Sequence, residues 1–388
     1  MRDAPGAKPT GSGTPLAASF FDQSKAKRLF DAVNDASAED LMPRATPGII
    51  LAHGIAAIVH LTSIMLILIG IALLIWTWPN WLGVIFGAAM AIGGWFLLPR
   101  FGRPPEHIVT REQAPELHAL TDEIAHALGT RPVDLIALDP DENASFSRIG
   151  LRRTSVLTLG LPLWRILDPQ ERVALIAHEL AHQENGDVAR GFLVVHALYT
   201  LDVWDEFLIQ EPHPEVSVSD FAVRWILELI ALGVRGIATI LRRLFWTESQ
   251  RAEYLADFLG SRVSGTEAFL RTNKRFVHLS AYPEALFDAT MKTPARDPDY
   301  AAIFERYAVL LEEVSQKRAD AARVRADNHY QDGTHPPTSY RSAFLANRPC
   351  TPTVTLDAAA SREIDSELAP FGEVMGQMLV RRWANHFD

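Results

Sequence analysis

Cysteine is almost missing from this chain of 388 residues: Cys350 stands alone. An internal disulfide is excluded, and so is a metal site built on thiolates. Histidine and carboxylate are the only remaining ligand types for a metal. A lone cysteine also suits a reducing compartment. Positive charge is scarce too. The 37 Lys and Arg are outnumbered by 47 Asp and Glu, giving a formal net charge of -10. That balance argues against a nucleic-acid partner and leaves a peptide substrate open. No charged start runs at once into an apolar core, so a cleaved signal peptide is not expected. No internal repeat is visible.

Charge vanishes from two neighbouring stretches. Ile49 to Trp78 holds no charged residue and is long enough to cross a bilayer. Pro79-Asn80 breaks the run, and Trp81 to Leu98 is a second uncharged stretch of similar reach. Trp76, Trp78 and Trp81 gather at the turn, as interfacial tryptophans do. The pattern predicts a transmembrane helical hairpin over 48–99, in contact with the lipid bilayer. His53 and His60, inside the first run, are expected to face the partner helix or the headgroups. Lys25, Lys27, Arg28 and Arg44 precede the hairpin, Arg100, Arg103 and Arg111 follow it, and the turn has no basic residue. The positive-inside rule then puts both flanks at the cytoplasmic side of a multi-pass cell-membrane protein. The region 1–47 reads as a cytoplasmic tail. It is disordered to about Ala18, followed by an amphipathic helix over Phe20 to Leu41 with Phe21, Leu29, Phe30 and Val33 on its apolar side.

Beyond the hairpin, Pro115 to Ala127 has a helical stripe of Leu117, Leu120, Ile124 and Leu128. Val133 to Leu138 and Ser155 to Leu159 read as strands. Asn143 to Phe146 between them is either an edge strand or a plain turn. As an edge strand beside a metal it would hold an extended peptide by strand addition, with Asn143, Ala144 and Ser145 touching substrate. Residues 191–208 and 221–246 are apolar-rich but carry charges. They read as amphipathic helices on the domain or at the membrane surface, with a second transmembrane hairpin as the alternative. Helix is expected from Asp257 to about Arg325, a loop over Asp332 to Pro337, and a last helix from Ala358 to Trp383 burying Phe371, Met375, Met378 and Leu379.

The chemistry concentrates at His178-Glu179-Leu180-Ala181-His182, an HExxH motif. Two imidazoles four positions apart on a helix point the same way and reach one metal ion. Glu179 is placed to take a proton from a water that the metal activates. The context supports a helix. Asp168-Pro169-Gln170-Glu171 supplies an N-cap, a first-turn proline and a capping-box acid, and Gly186 a stop. A catalytic zinc takes three protein ligands and keeps one position open. The best source for the third is the segment Trp246 to Asp257, where Glu253 and Asp257 share a helix face. Glu253 can bind the metal, and Asp257 can accept the N–H of a ligating histidine and fix its tautomer. A solvated helix with spaced acids gives the same local pattern.

His178-Glu179-Leu180-Ala181-His182 followed by Glu248-Ser249-Gln250-Arg251-Ala252-Glu253-Tyr254-Leu255-Ala256-Asp257 resembles the membrane-bound zinc metallopeptidases of the HtpX-type heat-shock proteases and CAAX prenyl proteases. The resemblance runs from about Pro115 to about Leu345. It implies His178, His182 and Glu253 as ligands of one Zn²⁺ per chain, Glu179 as the catalytic glutamate and Asp257 as support. Asn143-Ala144-Ser145-Phe146 and Thr334-His335-Pro336-Pro337 with Arg341 also resemble family segments. On that basis His335 and Arg341 would assist at the tetrahedral oxygen; on their own they read as a loop histidine and a surface ion-pair arginine. The implied fold is mainly α with a small β-sheet, an α+β zincin-like metallopeptidase domain over 100–347, with a helical extension over 348–388.

The functional expectation is a membrane-anchored zinc-dependent endopeptidase acting on protein or peptide substrates at the cytoplasmic face, in quality control of membrane proteins. Two alternatives stay open. One is a selective prenyl-protein-type processing peptidase, which would need a chamber of many membrane helices. The other is a non-catalytic membrane adaptor with structural zinc, against which Glu179 argues, because a closed structural site needs no base.

Overall fold

The computed structural model describes residues 15–42, 44, 46–99, 102–150, 152–185, 187–208, 218–281, 284–293, 298–313 and 335–387. The start of the tail expected to be disordered, the helix stop at Gly186, the loop residues up to Thr334 and the end of the helix expected to run to Arg325 lie outside the described residues.

The fold is mainly helical with one small sheet, as its sequence pattern implies. Helix α1 (Pro15–Val33) and the short α2 (Ala38–Leu41) take the place of one predicted helix over Phe20 to Leu41. The break has a local cause. Ser37 Oγ accepts the N–H of Asp40, and Asp40 Oδ2 accepts from the Ser37 N–H and hydroxyl, a reciprocal cap that starts a new helix. Val33 and Leu41 are buried with Tyr254 and Phe344, and the Phe30 ring stacks on Tyr340 at 4.9 Å. The N-terminal segment therefore packs on the helices that carry Tyr254, Tyr340 and Phe344.

Helices α3 (Pro47–Trp76) and α4 (Trp81–Phe96) follow. Thr46 caps α3 by accepting the Ile49 N–H, and Asn80 caps α4 through Leu82. The two lie backbone to backbone because small residues allow it. A Cβ on Gly70 would stand 2.6 Å from the Gly87 carbonyl oxygen, and one on Gly94 2.7 Å from that of Ser63. Among the described residues α3 alone is long and apolar enough to cross a membrane; α4 is a shorter apolar helix.

The sheet has four strands in the order β1-β2-β4-β3. They are β1 (Ile108–Val109), β2 (Leu135–Asp139), β3 (Ala144–Ile149) and β4 (Thr154–Gly160). β2 and β4 run parallel, while β1 and β3 pair antiparallel at the two edges. Of the two readings for Asn143 to Phe146, the edge strand is the one observed from Ala144 onward. Its register sets Phe146 opposite Leu157. Helix α5 (Pro115–Leu128) covers the sheet with Leu117 and Ile124, and Ile136, Leu157, Leu159 and Trp164 complete a dry core under the motif helix. Trp164 sits in α6 (Leu161–Ile166).

The motif helix is α7 (Pro169–Asn185), followed by α8 (Asp187–Leu208) and α9 (Val218–Ser264), a single helix of 47 residues. The apolar half of α9 and its acidic half are thus one rod. α8 and α9 bury Val194, Ala197, Leu201, Val234, Ala238 and Leu241 against Ala52, Ala56 and Val59 of α3. Several of their charges pair: Arg235 with Asp205 at 2.7 Å and with Glu228 at 2.9 Å, and Arg242 with Asp202. Phe207, Trp225, Leu229 and Leu232 are left facing outward. The chain ends with α10 (Thr266–Ala281), α11 (Ala285–Met291), α12 (302–313), α13 (Thr338–Ala346) and α14 (Ala358–Phe387). α14 buries Met375 and Leu379 fully and Phe371 and Met378 in part, as its pattern predicts.

Candidate active site

The site is built where α7 crosses α9 next to β3. α7 starts as its sequence implies, with the Asp168 N–H donating to Glu171 Oε2 at 3.0 Å. α9 comes close because Gly260 faces it: a Cβ there would stand 3.2 Å from the His178 nitrogen. This contact lines the buried His178 up with the buried Glu253 and Asp257.

His178 and His182 turn their Nε2 atoms toward each other at 3.4 Å. Glu253 offers Oε2 at 3.6 Å from His178 Nε2 and Oε1 at 3.5 Å from His182 Nε2. Ligand atoms about 2.0–2.2 Å from a tetrahedral centre stand about 3.3–3.6 Å apart. The three side chains fit one metal ion in separation and in donor chemistry, and they form a group whose ligand atoms lie within 4.8 Å of one another.

The support behind the ligands is specific. His178 Nδ1 lies 3.0 Å from Asp257 Oδ1. A carboxylate only accepts, so Asp257 favours a proton on Nδ1, which leaves the Nε2 lone pair facing His182 and Glu253. Asp257 in turn receives Arg341 Nε at 2.7 Å and Nη2 at 2.5 Å. Burial alone would push the Asp257 carboxyl up; the guanidinium of Arg341 and the His178 bond outweigh it and hold it low. Burial likewise works against Arg341, and the Asp257 charge raises its pKa regardless. Arg341 is therefore neither a surface ion-pair residue nor free to meet a substrate oxygen through its Nε and Nη2. Its fork is spent on Asp257.

His335 Nδ1 stands 2.7 Å from Glu253 Oε2, with about half of its side chain exposed (49%). Burial pushes the Glu253 carboxyl up, but the hydrogen bond from His335 and the charges of His182, His335 and His178 hold it well below the ordinary carboxylate range. The anionic form of Glu253 is thus favoured, which suits a candidate ligand for a cation.

Glu179 points to the sheet, where its Oε2 accepts the backbone N–H of Phe146 at 3.1 Å. A cleft of about 560 Å³ runs between β3 and α10 and brings Asn143, Ala144 and Ser145 together with His178, Glu179, His182, His335 and Arg341. Every site residue singled out in the sequence borders this cleft or lies directly behind it. The Phe146 backbone and Phe269, whose ring meets His178 edge-on at 5.9 Å, were not foreseen. Neither carries a spacing signal, since one acts through its main chain and the other comes from a separate helix.

The profile of Peptidase family M48 matches residues 111–348. The chain is 28% identical over 233 residues to a protein named Protease HtpX homolog from Thermococcus sibiricus, over 57% of this chain and 77% of that one. It is 32% identical over 127 residues to Protease HtpX homolog 1 from Streptomyces coelicolor, over 31% of this chain and 40% of that one. No solved structure matches the chain significantly. The matched stretch holds strands β2 to β4, the motif helix, the acidic half of α9 and Arg341, and with them in place the chain belongs to peptidase family M48, as a metallopeptidase.

Proposed function

We propose that this protein is a membrane-anchored, zinc-dependent endopeptidase that cuts protein substrates at the cytoplasmic face, in quality control of membrane proteins. The ligand triangle carries the reading: its three separations of 3.4 to 3.6 Å suit a tetrahedral ion, and it faces a cleft with a free sheet edge. Two imidazoles and a carboxylate are a donor set that zinc favours. The chemistry supplied by a bound zinc is Lewis acidity, which brings the pKa of a water toward neutrality and polarises a carbonyl.

The chain's own residues do the rest. β3 holds the substrate backbone extended, with Asn143, Ala144 and Ser145 where that strand begins. Glu179 takes the proton of the water as its oxygen adds to the peptide carbon. It then passes that proton to the leaving amine as the C–N bond breaks. His335, half exposed at the cleft, is the side chain best placed to donate to the tetrahedral oxygen. Arg341 acts at one remove, holding Asp257 ionised so that Asp257 orients His178.

For the membrane part, α3 and α4 form the anchor. α8 and the first half of α9 join the same bundle, because several of their charges pair with each other and their outer faces stay apolar. A non-catalytic adaptor is the weaker reading, since Glu179 sits on an open cleft beside the ligands. The test is casein hydrolysis by the full chain in detergent. Hydrolysis that stops with a chelator and returns with zinc supports the proposal; tightly held zinc without hydrolysis favours the adaptor.

A further inference from the structure

A second pocket reaches the same metal ligands from the other side. It measures about 120 Å³, and His182 and Glu253 form part of its wall. The rest is mainly apolar: Ile49 and Ala52 from the first turns of α3, Leu244 and Phe245 from α9, and Gly191 from α8. Gly191 lets α8 pass close to the Phe245 ring, since a Cβ there would stand 3.1 Å from Phe245 Cζ. His53, Glu248, Ser249 and Arg251 are the pocket's other polar residues, and His53 Nδ1 lies 2.9 Å from the Ile49 carbonyl oxygen. Glu248 accepts the Thr46 hydroxyl at 3.1 Å, and Arg251 donates to the Asp40 carbonyl at 2.5 Å.

The pocket's volume of about 120 Å³ has room for a single side chain of Val, Leu or Ile size. Whatever fills it lies against two of the three ligands and hence within a residue of the bond being cut. The main cleft, with Leu175, Phe269 and Phe276 in its wall, meets this pocket at His182, which lines both.

We propose that the pocket between α3, α8 and α9 is a specificity subsite that takes one medium-sized apolar side chain of the substrate next to the scissile bond. The inference rests on the peptidase reading above. Because the first turns of α3 form one wall, selectivity depends on the helix that anchors the protein as well as on the catalytic domain.

The test is a set of peptides varied at the two residues flanking the cut, assayed with the full chain in detergent and with two variants. For the wild type, Val, Leu or Ile at one flanking position should be preferred over Gly and Asp by about tenfold or more. Ala52→Leu fills the pocket and should lower the rate on the Leu peptide by about tenfold while sparing the Ala peptide. Phe245→Ala enlarges it and should raise the relative rate on Phe and Trp peptides. Activity on the Ala peptide reports that each variant is folded, and the wild-type profile with Phe245→Ala decides the matter if Ala52→Leu does not fold. Hydrolysis with a flat profile, or a profile unmoved by the folded variants, overturns the subsite alone. No hydrolysis of any peptide overturns the peptidase reading and the subsite with it.

Discussion

Glu179 Oε2 accepts the backbone N–H of Phe146 at 3.1 Å. The acid proposed to handle protons is thereby fastened to the strand on which a substrate is proposed to lie. In β3 that N–H points off the free edge rather than toward β4, so one hydrogen bond ties the Glu179 side chain to the main chain of the edge strand. The relationship explains why an edge strand and a motif helix from distant segments act as one unit.

Glu179→Gln keeps the shape of the side chain and its carbonyl acceptor for Phe146 but loses the base. Hydrolysis should fall by about 100-fold or more. Metal content, read by elemental analysis, should stay at the wild-type level. Full activity in this variant would remove Glu179 from the reaction.

Asp257→Asn removes the charge that His178 and Arg341 share. An unpaired buried arginine costs about 3–5 kcal/mol, which chemical denaturation measures. Metal affinity should drop by about 10–100-fold, because the ligand loses its orienting partner. Arg341→Lys should rescue neither the stability nor the affinity of the native pair in full, since a point charge cannot make the two-pronged bond. Unchanged denaturation midpoints in Asp257→Asn would contradict this role.

Asp134 offers a pH signature away from the metal site. Its Oδ2 accepts the Ser155 N–H at 2.7 Å and hydroxyl at 2.8 Å, and these bonds lower its pKa. With the folded pKa below the unfolded one, the stabilisation is present above the unfolded value and fades as pH falls through the folded one. Asp134→Asn should therefore be less stable than wild type at neutral pH, by no more than about 1 kcal/mol because the side chain is exposed. The gap should close below about pH 4. Thermal melts across pH check it; a gap that widens on acidification would contradict the assignment.

Membrane orientation can be read with thiols, because Cys350 is the sole cysteine. In a Cys350→Ser background, Asn80→Cys in the turn between α3 and α4 should react with an impermeant maleimide on intact cells. Glu363→Cys, on the exposed face of α14, should react only after the membrane is opened. The reverse pattern would invert the proposed topology.

Much of the fold was legible in the sequence where signals are local. The cap at Asp168, the HExxH spacing and the alternation around Leu157 each describe a few neighbouring residues, and α7 and β4 follow from them. Asp257 and Arg341 are 84 positions apart, so no local pattern tells a surface arginine from one buried on a carboxylate. α9 shows the same limit. Arg235 and Arg242 look costly in an apolar stretch, and only the folded chain sets Asp205 and Asp202 of α8 beside them. The two-residue strand β1 carries too little sequence to announce itself. The break between α1 and α2 turns on a cap between Ser37 and Asp40 inside a continuous apolar stripe.

The metal content of the full-length protein and its Glu253→Ala variant, measured side by side after identical purification, tests the centre of the proposal. The expected result is about one zinc per wild-type chain and a large loss in the variant, with its fold intact by circular dichroism. Equal zinc in both proteins would contradict a site closed by His178, His182 and Glu253.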